Sequence, residues 1–124
     1  MQTHKHWLLI AKEDLDSAKH LFSGSFVTGL FHAQQCAEKS LKAYLVFKKN
    51  MIIKTHDLVR LIDVCMQLNE NFETLRLFAV ELTPYETAGR YPDISFVRPS
   101  EVDMIDLINQ AESVFNFVIH QIEE

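Results

Sequence analysis

Apolar positions recur at a helical period along most of the chain. From about Thr3 to Phe22, residues Trp7, Ile10, Ala11, Leu15, Ala18, Leu21 and Phe22 share one face, with Lys12, Asp16 and Lys19 outside it. The pattern predicts a first helix that Ser23 and Gly24 break, and a second, long one from about Phe26 to Lys48. Inside the second helix, in the stretch HAQQCAEKSLKAYLV, the small residues Ala33, Ala37 and Ser40 repeat at helical spacing and lead to Tyr44. Gln35, Glu38 and Lys42 form a polar row on a neighbouring face. That row can face water, another subunit or a bound anion.

Farther on, Leu58, Leu61, Ile62, Cys65 and Leu68 make an apolar stripe. Thr55 is a plausible N-cap, and Asp57 lies in the first turn, where the helix dipole favours a carboxylate. A third helix is therefore expected to start near His56, and a fourth from about Phe72 to Leu82. The stretch TPYE then places Thr83 at a cap, Pro84 at a first helical position and Glu86 three residues past the cap. Gly89 can end that short element in a left-handed conformation, and Tyr91, before Pro92, is pushed toward extended backbone. RYPDISFVRPS reads as a long inter-helix loop. Ser100 with Asp103 resembles a capping box that opens a last helix, with Val102, Ile105, Ile108, Ala111, Phe115, Val118 and Ile122 toward the core. The expected fold is all-α: an antiparallel four-helix up-and-down bundle with an additional short helix before the last helix.

Composition agrees. The 124 residues carry only three Gly and three Pro, too few for a turn-rich all-β design, and 48% are hydrophobic against 23% charged. No linker, repeat or low-complexity tract divides residues 1–124, which read as one domain. The start of the chain lacks the apolar run and cleavage site of a signal peptide. No segment approaches the roughly 18 apolar residues of a membrane span. A cytoplasmic protein without a membrane partner is expected. Cys36 and Cys65 occupy apolar helical positions away from any CxxC motif, which points to reduced core thiols.

The net charge of −5 argues against general nucleic-acid binding, but the average hides an asymmetry. Residues 1–38 carry −1, residues 39–60 carry +5 and residues 61–124 carry −9. The middle of the chain is either a solvated basic face or an anion site.

Within that region His56 follows Lys54 at an expected helix N-terminus, where free backbone N–H groups favour phosphate, although Asp57 competes for the same field. Capping with local packing of His56 is the alternative. Arg90 and Tyr91 lie in the long loop, where Arg offers a planar fork to a phosphate and Tyr a stacking face. A salt bridge from Arg90 to Glu86 or Asp93 is equally compatible with the spacing. Glu38, Lys39 and Lys42 read on their own as a solvated face with intrahelical pairing. The remaining histidines lack metal-ligand spacing, so no metal is expected. Metal-free RNA cleavage needs a His and commonly an Arg brought together. Arg60, Arg76, Arg90 and Arg98 have no His at the fifth to seventh following residue, so a compact local site of that kind is absent.

Three ordered motifs carry a family resemblance: FHAQQCAEKSLKAYLV on the second helix, KTHDLVRL opening the third, and YETAGRYPD after the fourth. Together they resemble the HEPN domain (higher eukaryotes and prokaryotes nucleotide-binding), over most of the chain. The resemblance implies a helical bundle, usually a homodimer, that works beside a minimal nucleotidyltransferase in a two-component or toxin–antitoxin-like system. Some members are ribonuclease toxins with an Arg-x(4–6)-His motif. This chain lacks that motif, which argues against nuclease activity of its own.

It is instead similar to the subgroup with KTHDL and RYPD signatures, for which the implied role is nucleotide binding. At matching positions the implied nucleotide-binding residues are Glu38, Lys39, Lys42, His56, Asp57, Arg90, Tyr91 and Asp93. Lys42 and Arg90, with His56, would neutralise phosphates of ATP, GTP or RNA, and Tyr91 would stack on a base. No cofactor is required in this reading. Two alternatives stay open: a ribonuclease toxin whose His56 and Arg90 converge in the fold, and a structural subunit whose polar row is only an interface.

Overall fold

A computed structural model describes residues 3–21, 26–90 and 99–123, with side chains at 3–20, 28–87 and 99–123. Among these residues the regular structure is entirely helical. Three long helices, α1 (His4–Leu21), α2 (Phe26–Lys49) and α6 (Glu101–Glu123), frame the molecule. Shorter pieces fill the remaining side: α3 (Leu58–Met66), a 3-10 helix (Glu70–Leu75), α4 (Arg76–Leu82) and α5 (Pro84–Arg90).

Side-chain contacts fix the directions. His4 stacks edge-on against Phe47 and Asp14 meets His32, so α1 and α2 are antiparallel. The Cys36 thiol reaches the Ala111 carbonyl, and farther along Phe72 packs on both Tyr44 of α2 and Phe117 of α6, so α6 runs with α2 and against α1. Asn69 bonds Gln121 and Gln110 bonds Glu81, which sets the 69–82 segment antiparallel to α6. The result is the expected bundle, with α1 and α4 running opposite to α2 and α6.

α2 is the central element, packed against α1, α3, α4, α5 and α6. Ala33, Ala37 and Ser40 are all buried, and Ser40 donates to the Cys36 carbonyl. Small side chains let neighbouring helices close on α2 from several directions. Tyr44, Phe72 and Phe117 form an aromatic stack beneath them, with centroids 4.5 and 4.9 Å apart. Cys36 and Cys65 are free and buried, and burial pushes both thiols up to about 12. α2 ends at Asn50, whose φ of 50° and N–H bond to the Val46 carbonyl form a left-handed cap.

Several local expectations are corrected. The cap of α3 is Asp57, not Thr55: its carboxylate accepts from the N–H groups of Val59 and Arg60, while Thr55 accepts from the Asp57 N–H. The carboxylate is the better acceptor at a positive helix end, and Thr55 lies too early in the chain to reach those groups. The fourth helix opens as a 3-10 helix capped by Asn69 and becomes α-helical only at Arg76. Thr83 does not cap α5 with its side chain, because its hydroxyl donates to the Ala79 carbonyl and accepts from Leu58 N–H. Gly89 lies inside α5, and no described glycine has positive φ. Ser100 does cap α6, accepting from Asp103 N–H. The buried face of α6, however, is rotated toward Met104, Leu107 and Val114, leaving Val102 and Ile105 exposed. The expected break at Ser23 and Gly24, and the loop at 91–98, lie outside the described residues.

Candidate functional site

Gln34, Glu38 and Lys42 are spaced four residues apart on one face of α2, so their side chains stack in a row along the helix. The segment 50–57 folds back along α2 and lays His56 over that row, where the Gln34 amide donates to the His56 carbonyl at 3.2 Å. Glu38 has no exposed surface. A bare carboxylate in such a place would be costly, and the structure supplies partners for both oxygens. Oε1 lies 2.9 Å from His56 Nδ1 and accepts from Gln34 Nε2 at 3.3 Å. Oε2 accepts from Lys42 Nζ at 3.0 Å and from Lys39 Nζ at 3.4 Å.

The electrostatics follow from those contacts. Burial pushes the Glu38 carboxyl up, but the His56 hydrogen bond and the charges of Lys39 and Lys42 outweigh it, and the net shift is downward. An ionised carboxylate only accepts, so His56 must present Nδ1–H to it. Nε2 is then the outward nitrogen of an imidazole that is 49% exposed, and it lies 3.9 Å from Glu86 Oε1. Lys39 sits at the rim, bonded also to Gln35 Oε1 and placed 6.0 Å over the Trp7 ring. Gln35 in turn donates to Gln34 Oε1. The arrangement is a buried anion holding two ammonium groups and one oriented imidazole at the edge of a helical bundle.

Four of the residues singled out in the sequence, Glu38, Lys39, Lys42 and His56, are thus brought together. They are not a solvated face: Glu38 and Lys42 are buried, and Lys42 spends its charge inward on Glu38. Asp57 is adjacent in the chain but turns its carboxylate to the α3 N-terminus, at 3.0 and 3.4 Å from Val59 and Arg60 N. Those N–H groups, with Leu58 N–H bonded to Thr83, are therefore occupied and form no phosphate cradle. Arg90 is the last residue of α5, and its side chain lies outside the described residues, as do Tyr91 and Asp93 entirely.

Gln34 belongs to the site although the sequence pattern does not single it out. Its signal is the spacing of four residues before Glu38, but nothing in one sequence reveals that His56 would offer it a carbonyl. A second His–carboxylate pair joins α1 to α2: His32 Nδ1 is 2.7 Å from Asp14 Oδ1. Burial raises the Asp14 carboxyl more than the His32 hydrogen bond lowers it. Among the described residues no group of three or more His, Cys, Asp or Glu is placed to hold a metal ion. None of the described helices is long and apolar enough to cross a membrane.

The chain matches the HEPN domain family model over residues 4–122. It is similar to the crystal structure of ST0689, an archaeal HEPN homologue, with 29% identity over 98% of this chain and 99% of that one and a TM-score of 0.77. It is also similar to the crystal structure of TT1696 from Thermus thermophilus, with 25% identity, 97% and 98% coverage and a TM-score of 0.81. No curated protein matches it. With its helical architecture and a family match spanning nearly its whole length, this chain belongs to the HEPN domain family.

Proposed function

We propose that this HEPN-domain chain is a nucleotide-binding partner of a minimal nucleotidyltransferase in a two-component, toxin–antitoxin-like system, acting as a cytoplasmic homodimer. The observation that carries the binding role is the half-exposed His56 imidazole fixed by a fully buried Glu38. In this reading the rim ammonium of Lys39, and His56 Nε2 when the imidazole carries both protons, donate to the phosphates of ATP or GTP. Glu38 and Lys42 act behind them as positioning residues, and Arg90, the last residue of α5, and Tyr91 after it complete the site in this reading. Pre-oriented donors lose little freedom on binding, which is what makes such an edge useful for anion recognition.

Calorimetric titration with ATP and GTP tests this reading. Saturable binding is expected, weakened about tenfold in Lys39→Ala/His56→Ala, equivalent to about 1.4 kcal/mol. Absence of heat in the folded wild type would remove the binding role, and failure to co-purify with a co-expressed minimal nucleotidyltransferase would remove the partnership.

One observation favours a second reading, a ribonuclease with a dispersed site. A carboxylate that orients imidazole Nδ1 and leaves Nε2 outward is also the arrangement of a general acid or base. RNA cleavage that vanishes in His56→Ala would select it.

A further inference from the structure

Trp7 is the chain's sole tryptophan, and it lies on α1 beside the site. The side chain is partly exposed, yet its Nε1 is buried without a hydrogen-bond partner among the described residues. A stranded buried donor is a cost that a phenyl ring in the same place would avoid. What the indole offers in return is a broad face of high electron density.

That face meets Lys39. The ammonium stands 6.0 Å over the ring, at the outer limit of a cation–π contact, and makes its hydrogen bonds elsewhere, to Gln35 Oε1 at 3.1 Å and Glu38 Oε2 at 3.4 Å. Glu38 holds His56 with its other oxygen. Successive residues of a helix point about 100° apart. Trp7 therefore borders the site at Lys39, from α1, while the segment 50–57 borders it at Glu38. The Lys39 ammonium thus lies between an aromatic face and an oriented imidazole. No other described ring stacks on Trp7.

We propose that Trp7 is the base-stacking residue of this site, taking a purine on its face while Lys39, with protonated His56, holds the phosphates. The proposal rests on the nucleotide-binding reading above and adds the residue that reads the base. Lysine is a flexible point charge, so Lys39 can turn from the ring onto a phosphate. The 6.0 Å from its ammonium to the ring is the scale of one ribose, and the base of that nucleotide comes over the face that Lys39 vacates. Stacking tolerates any base but strengthens with overlap, and a purine matches the two fused rings of indole in area.

Calorimetry with ATP, GTP, UTP and inorganic tripolyphosphate, read beside the fluorescence of Trp7, tests the assignment. In wild type, ATP and GTP are expected to bind more tightly than UTP and to quench the tryptophan emission more than tripolyphosphate does. Trp7→Leu, checked for folding by circular dichroism, is expected to lower the ratio of ATP to tripolyphosphate affinity about tenfold, and Trp7→Phe to lower it less. An unchanged ratio in folded Trp7→Leu would overturn the proposal and leave the binding reading standing. So would tryptophan emission blind to ATP in a wild type that binds it by calorimetry, or a base preference lost in Tyr91→Ala and kept in Trp7→Leu. No heat with any of the four ligands would remove both readings.

Discussion

The Nδ1 atom of His56 lies 2.9 Å from the Oε1 atom of Glu38, a carboxylate with no exposed surface on the central helix. This contact ties the returning segment 50–57 to α2 and, with the bonds from Lys39 and Lys42, makes Glu38 the electrostatic centre of its surroundings. Replacing it by Gln leaves the Lys42 ammonium buried without its anion. Glu38→Gln is therefore expected to lower unfolding free energy by about 3–5 kcal/mol in urea titration, the cost of breaking a buried pair from one side. Glu38→Leu/Lys42→Leu, which removes both charges, is expected to cost clearly less than the single change.

The pH dependence has a definite sign. The folded Glu38 carboxyl titrates below its ordinary value of about 4.5, so on acidification the unfolded chain takes up the proton first. The stabilisation is present above that ordinary value and is lost as pH falls from it through the folded value. Urea midpoints measured across this window are expected to fall more steeply for wild type than for Glu38→Gln, and parallel curves would contradict the assignment.

Asp57 holds two N–H groups at the start of α3. Asp57→Ala is expected to cost about 1 kcal/mol, the usual contribution of an N-cap, with an unchanged dependence on denaturant. Thr55→Ala should cost less, since the Thr55 hydroxyl accepts from the Asp57 N–H ahead of the helix and from neither of the N–H groups that Asp57 caps.

Ala37 is 1% exposed on a helix surrounded by neighbours. Leucine there has no space to enter, and Ala37→Leu is expected to destabilise by about 1–3 kcal/mol through overpacking, seen as a lower urea midpoint.

Both thiols are buried and titrate at about 12. Native protein is expected to react with a thiol reagent at neutral pH only at the rate of opening, whereas both cysteines react promptly in denaturant. Fast labelling of either one in the native state would show that α2 or α3 opens locally.

Much of this molecule is decided by local pattern. The helical period of Ala11, Leu15 and Ala18, the run of small residues at 33, 37 and 40, and Ser100 ahead of α6 specify elements through interactions within a few turns, and these are legible in one sequence. So are the family motifs, because they are ordered strings of residues. What the chain order does not contain is which of two adjacent faces a neighbour will cover. Val102 and Ile105 follow the same period as the core of α6 yet stay exposed, because packing against α2, with α1 and α4 beside it, selects a rotated face. Glu38 and Lys42 belong to what reads, by composition alone, as a solvated face. They are buried because the segment after Asn50 turns back over them, a contact between residues separated by 18 to 22 positions whose energy exists only once the fold has formed. The identity of the polar residues was written in the sequence; their burial, their pairing and the outward nitrogen of His56 were decided by tertiary packing, since desolvation and charge pairing act through space rather than along the chain.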